Sequence, residues 1–277
     1  MTIILRKNWK ACTFLIALFF LAHSTFSQCN EINTAFKEGE KVTYNAYYNW
    51  HFIWMNAGLV TFKTELQKYQ NKSCYKLSSV GITHKNYDVF YKVRDTFISI
   101  VDTAYLAPLY SKRITNEGST QGSENYNFDE SKKTISSFII NEEKNGVKAS
   151  IPWQSCTFDL LTMVYRARNI NFNVYKKNDK IPIRLIVDGI IYNLYIRYLG
   201  HETIKTKEGR TFRCIKFSPL LMKGTIFEAG EDMTVWVTDD KNRIPILVEA
   251  SILIGSVKAM FVSAEGAKYP FESEIIK

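Results

Sequence analysis

The chain has 277 residues, of which 46% are hydrophobic and 14% aromatic, and a formal charge of +9. That is enough apolar material for a sizeable core, and it excludes a disordered or fibrous chain. Lysines and arginines are scattered among acids with no run longer than a pair, which disfavours a nucleic-acid partner and leaves a solvated basic surface as the plainer reading.

Residues 1–27 read as a secretory signal peptide. Arg6, Lys7 and Lys10 give a cationic start, Ala11 to Ala22 is almost wholly apolar, and Thr25-Phe26-Ser27 supplies small residues before a cleavage point. The apolar stretch is about a dozen residues, short for a bilayer's ~30 Å core. Cys29 invites a lipoprotein reading, but Gln28 stands where that processing wants a small residue. The expectation is therefore cleavage after Ser27, export to the periplasm of a Gram-negative bacterium, and a single β-rich domain over residues 28–277. Loss of the three leading cations lowers the charge to +6. No later segment approaches 18 uninterrupted apolar residues, so any membrane association is peripheral at most.

Four cysteines remain in that chain: Cys29, Cys74, Cys156 and Cys214. Cys74 and Cys214 fall in strand-like runs, where a buried thiol is ordinary. Cys29 and Cys156 lie in less regular sequence, and an exported chain favours a disulfide between them that would pin the terminus.

From Val42 onward the rhythm is period two. Strands are expected at 42–48, 59–64, 74–83, 96–102, 109–115, 124–129, 134–141 and 147–151. The second half adds 181–187, 190–199, 202–206, 211–218, 233–239, 244–254 and 256–263. Asn145-Gly146, Asp188-Gly189 and Glu208-Gly209 have hairpin-turn chemistry, so the pattern is a largely antiparallel meander. Thr157 to Arg168 is the main helix candidate, since Phe158, Leu161 and Tyr165 recur at helical spacing. Asp159 in its first turn, with Arg166 and Arg168 in its last, reads as complementation of the helix dipole. A shorter helix is allowed over Asn86 to Val93, though its composition also suits a strand. The fold class is mainly β: a strongly curved antiparallel sheet or half-open β-barrel with one or two packed helices. Trp153 to Asp179 is a possible seam between lobes, though one sheet curling around the helix is simpler.

The sequence shows no H-E-x-x-H, no G-x-S-x-G and no phosphate-binding glycine loop. His51, His84 and His201 are isolated, so neither a metal nor another cofactor is expected. Ser73-Cys74-Tyr75-Lys76 has S-x-x-K spacing, but in a strand residues three apart face opposite ways. Asp239 and Asp240, like Asp129-Glu130 and Glu142-Glu143, read as solvated turn formers. Arg243 is placed to return to one of the aspartates, and Pro245 belongs at an edge or a bulge. The aromatics offer two readings, a filled core or an apolar groove between sheet and helix. In the second, Trp50, Trp54, Phe90, Tyr91, Met163 and Tyr165 are the candidate ligand-binding residues, with His51 to Gly58 an exposed loop at the mouth.

Several segments together resemble a known family. Gly39-Glu40-Lys41 leads into the first strand, Ala57-Gly58 opens the next, and Val93-Arg94-Asp95 precedes another. Asp159-Leu160-Leu161 with Tyr165-Arg166-Ala167-Arg168 forms the helix. Val187-Asp188-Gly189 makes a hairpin, and Val235 to Asp240 runs through Arg243-Ile244-Pro245 into the last strands. In order and spacing these resemble the domain-of-unknown-function 3108 family, particularly exported members from Bacteroidetes-type bacteria. The resemblance implies a β-rich periplasmic protein with no catalytic residues to carry over. The expected function is a non-catalytic envelope protein that binds a lipid or hydrophobic peptide. A structural or adaptor role toward an envelope protein is the runner-up, and a glycan or peptide hydrolase the third reading.

Overall fold

The structure, a computed structural model, describes residues 31–50, 53–222, 230–252 and 255–276. The expected signal peptide, its cleavage point, Cys29 and His51 lie outside the described residues. Among the described residues fifteen strands form one sheet whose spatial order places the chain's two halves side by side. The first half is a meander: β1 (Lys41–Trp50), β2 (Ile53–Tyr69), β3 (Lys72–Thr83), β4 (Arg94–Asp102), β5 (Pro108–Glu117), β6 (Thr120–Asp129), β7 (Thr134–Ile140) and β8 (Asn145–Pro152). Then come the two-residue β9 (Thr157–Phe158), the helix α1 (Leu160–Ala167) and a 3-10 turn at Phe172–Val174. The second half runs β10 (Lys180–Val187), β11 (Ile190–Lys205), β12 (Thr211–Pro219), β13 (Met233–Thr238), β14 (Pro245–Ser251) and β15 (Ser256–Glu265). The halves join where β1 pairs with β15, which leaves β8 and β9 as the two edges of an open, curled sheet. Every pairing is antiparallel except that of β9 with β10.

Alternation does most of the work. On the inner face, register aligns Leu77, Ser99, Ser111, Tyr126 and Ser137 in one row across β3 to β7, and all five are buried. The three serines keep that row shallow, and α1 lies over it. Beside the helix, Phe158, Met163, Ile170 and Phe172 join strand residues of β10 to β13 in one cluster. Leu161 and Tyr165, from the same helix, join Phe36, Tyr75 and Leu77 in another. Tyr126, Phe128 and Ile135 meet Ile186 of the β10–β11 hairpin, which draws the two halves toward each other. A single helix thus fills the concavity. Burial of these side chains, each worth roughly 1.5–3 kcal/mol, is what curls the sheet.

Several expectations change in detail. The residues before Gly58 are not a loop: Ile53 to Gly58 continue β2 in register with β1. A bulge, with the register shifting between Ala46 and Tyr47, accounts for the broken alternation there. Asn86 to Val93 forms turns rather than a helix, because Asp88 is held by Thr83 Oγ1 and Arg94. The β7–β8 turn is not made by Asn145-Gly146. Asn141 makes it, accepting from the amides of Glu143 and Lys144, while Gly146 (φ 73°) sits just inside β8. Asp188 and Gly189 do form the β10–β11 turn, both at positive φ as its type demands. Pro245 falls at a register shift opposite Val237, where its missing donor is tolerated.

The helix charges are the largest surprise. Asp159 caps α1 by accepting from Thr162 N, as the dipole argument expects. Arg168, however, is no surface cation. It is 4% exposed and grips Glu40, 2% exposed, through two bonds of 2.5 and 2.9 Å. Its Nε and Nη2 also donate to the carbonyl of Asn242. Arg166 donates to the carbonyl of Tyr105 and lies 4.4 Å from the Phe158 ring centroid. Arg243 does not return to an aspartate; it donates to the carbonyl of Ile170 and sits over Phe172. Asp240 turns inward instead, accepting from Thr238 Oγ1 and from Ser273. The fully buried Asn242 bonds the backbone at Tyr269 and Pro270.

Candidate functional site

The six aromatic and apolar candidates do not converge on one cleft. Met163 and Tyr165 are buried in two different core clusters on opposite sides of α1. Phe90 and Tyr91 sit exposed on the loop after β3, next to Val89, which is 82% exposed. Trp54 lies on β2 with Lys258 Nζ 4.1 Å from its ring, and Trp50 ends β1. Trp54, Phe90, Tyr91, Met163 and Tyr165 line neither of the clefts described next.

The first cleft opens between the inner face of β4 to β6 and the start of α1, with a cavity volume of about 10 Å³. That is short of the ~300 Å³ at which ligand pockets begin. Its walls mix apolar Phe97, Ile98, Leu160 and Leu161 with the polar Ser99, Ser111, Arg113, Glu124, Tyr126 and Asp159. Asp159 accepts from Ser99 Oγ at 2.5 Å and from the Thr162 hydroxyl at 2.6 Å. Burial nonetheless holds its carboxyl above the usual range, with those donors pulling the other way. Glu124 behaves likewise: burial raises it, and the Arg113 guanidinium 2.9 Å away works against that shift. Tyr126 donates to Glu124 at 2.6 Å, and the amides of Asp188 and Gly189 bond Glu124 and Tyr126. Arg113 also bridges to Asp188 at 2.8 Å. These contacts tie the tip of the β10–β11 hairpin to β5 and β6, so the acid and base groups are spent on closing the sheet.

The second cleft is larger and lies against the edge strand β8. It is an open groove of about 510 Å³, lined by Asn127, Ser136, Ser137, Phe138, Lys148, Ala149 and Ser150. Register explains its composition. One outer row runs Lys112, Asn125, Phe138, Lys148, and the next runs Tyr110, Asn127, Ser136, Ser150. Two lysines, two amides, two hydroxyls and two aromatic rings thus share one face. No carboxylate falls in either row. Neither Lys112 nor Lys148 has an ion-pair partner among the described residues, and Asn125 Oδ1 is buried without a hydrogen-bond partner there. Residue periodicity alone does not pick out this groove. Its one signal is Asn125 and Asn127 two apart in a strand, where asparagine is ordinarily depleted.

Other constellations come to little. Among the described residues no group of three or more histidine, cysteine or acidic side chains is arranged to hold a metal. His201 faces Asp239 at 3.6 Å, and His84 approaches Asn56 at 3.3 Å. Asp95 and Glu117 form a carboxyl pair: Asp95 is raised to about 7 by burial and by its neighbour Glu117, while Asn116 N donates to it. It lines neither cleft. Cys74 and Cys214 carry buried free thiols, the latter pushed up to about 12 by burial. No helix among the described residues is long and apolar enough to cross a membrane.

The fold has relatives of known structure. A β-barrel-like protein of domain of unknown function DUF1849 from Brucella abortus superposes with a TM-score of 0.53 at 5% identity, over 83% of this chain and 98% of that one. A protein described as exported, with a YmcC-like fold, from Bacteroides fragilis covers 85% of this chain and 99% of its own at 10% identity, with a TM-score of 0.30. No curated protein matches the sequence. The model of the family of proteins of unknown function DUF3108 matches residues 43–262, so the chain belongs to that family.

Proposed function

We propose that this is a non-catalytic exported protein that works as an envelope adaptor, holding a protein partner at the groove beside β8. The observation that carries this reading is the contrast between the two clefts. The concave side, where a hydrophobic ligand was expected, is filled by α1 and closed by paired charges. The accessible space lies instead beside β8, where Lys148, Asn127, Ser136 and Ser150 line the groove and Lys112 and Asn125 share its outer rows. The cationic and apolar start of the chain supports export, and a Bacteroidetes-type periplasm as the compartment. Pairing of Cys29 with Cys156 in that oxidising compartment belongs to the same proposal.

A second reading keeps the hydrophobic ligand but moves it to the opposite end. Tyr48, Tyr87 and Phe90 form a chain of rings at 6.4 and 6.1 Å, and Phe90 is 76% exposed, beside Val89 and Tyr91. Such a cluster suits an acyl chain or a lipid surface.

Site-specific photo-crosslinking in exporting cells separates the two. A photoreactive residue at Ser136 is expected to trap one defined protein partner, and one at Phe90 none. Crosslinks at Phe90 alone, or lipid retained by the native protein in mass spectrometry, would replace the adaptor by the lipid binder.

A further inference from the structure

We propose that β8 receives an extended peptide of alternating acidic and apolar residues as an added strand, a docking mode that rests on reading the groove as a partner site. Among the described residues β8 pairs with β7 alone. The amide of Trp153 donates to the carbonyl of Lys133, while the Lys133 amide turns to Glu130, so Trp153 directs its backbone donor toward β7. Alternation along β8 then turns the backbone of Ile151, Ala149 and Val147 toward β7 and that of Pro152, Ser150 and Lys148 outward. Pro152 agrees, since it has no donor to present. Lys148 and Ser150 therefore offer two amides and two carbonyls on an open edge, and residues 147–150 are all exposed.

An edge of this kind is a template for strand addition, and side-chain alternation sets what fits. A strand facing Lys148 and Ser150 places every second side chain on the outer face. There it meets Lys148 and Phe138, with the unpaired Lys112 in the same row and no acid in either outer row. Carboxylates are the complement. The intervening side chains fall on the inner face beside Val147, Ala149 and Ile151, where apolar groups are the complement. Nearby acids are confined to the flanking turns. Glu142 accepts from Thr120, Asp129 from Ser131 and Lys132, and Glu130 faces Lys133, with Glu143 beside them. A second copy of β8 would bring lysine to a lysine-bearing edge, so an acidic strand is the better match.

The test is fluorescence anisotropy of the purified full-length exported protein with three labelled ten-residue peptides. One alternates glutamate and valine, one has the same composition in two blocks, and one alternates lysine and valine. The alternating acidic peptide is expected to bind at least about tenfold more tightly than either control. Ser150→Pro removes an outward donor without touching the β7 ladder, and Lys148→Glu reverses the charge. Each is expected to weaken binding by about tenfold with an unchanged melting temperature. Peptide should also slow hydrogen exchange at the amides of Lys148 and Ser150. Equal binding of all three peptides, or indifference to both substitutions, overturns the inference. If no peptide binds while the Ser136 crosslink persists, strand addition falls and the adaptor reading stands; loss of both removes the adaptor as well. Protection of β8 without peptide, in a protein that elutes as a dimer, assigns the edge to a second copy and likewise overturns it.

Discussion

The seam where β1, α1 and the β13–β14 turn meet and the outer face of β5 to β8 both carry charged and amide side chains, yet they are opposites in use. At the seam, Glu40, Arg168, Asp240 and Asn242 are drawn from distant parts of the chain, and each is held by hydrogen bonds. On the outer face, Lys112, Lys148 and Asn125 come from neighbouring strands and lack such partners among the described residues. Three of the segments that make the family recognisable, Gly39-Glu40-Lys41, Tyr165 to Arg168 and Val235 to Pro245, lead to the seam. A pattern in sequence can mark where a fold is fastened, while the surface available to a partner carries no motif.

Substitutions can break that contrast, beginning with the seam. Arg168→Ala strands the Glu40 carboxylate in the core and is expected to destabilise by about 3–5 kcal/mol in urea titration. Replacing both charges together, as Arg168→Met with Glu40→Leu, should recover most of that loss, because a buried pair gains little over an apolar one. A double variant as unstable as the single would show that the bonds to Asn242 matter more than the ion pair. Asn242→Ala comes next, at about 2–3 kcal/mol, since the tail carbonyls and the Tyr269 amide lose their partner.

Asp95 gives a smaller, pH-dependent effect. Burial and Glu117 raise its carboxyl from 3.8 to about 7, so the folded protein holds this proton more tightly than the unfolded chain does. By linkage, that contribution to stability is present below the unfolded value, declines as pH rises from about 4 to 7, and is absent above. Asp95→Asn should flatten the decline, and melting temperatures at pH 4.5 and 7.5 would check it. An unchanged slope would show that the carboxyl titrates normally. The smallest effect belongs to the groove: Lys148→Ala and Ser136→Ala should alter stability by no more than about 0.5 kcal/mol. A larger loss would mean that this face is structural after all.

The local architecture was largely legible. Period-two runs located the strands, and Asp188-Gly189 marked a hairpin because its backbone demands are met within two residues. Register was harder to read. The bulge between Ala46 and Tyr47 made Ile53 to Gly58 look like a loop, and Asn141 rather than Asn145 turned the chain after β7. The aromatic content was visible, but not that Tyr165 would pack on Phe36 and Tyr75 on one side of α1 while Met163 faced the other.

The sequence by itself determined the strand rhythm, the placement of the helix and the mainly β class, because each depends on residues within a few positions of one another. Tertiary structure alone decided that Arg168 would meet Glu40, 128 positions away, rather than decorate a helix end. It also decided which strand would be left at the edge and which row of lysines and amides would face outward. Such partners are chosen by the curl of the sheet and by the cost of burying charge unpaired, and neither is written in any local stretch of chain.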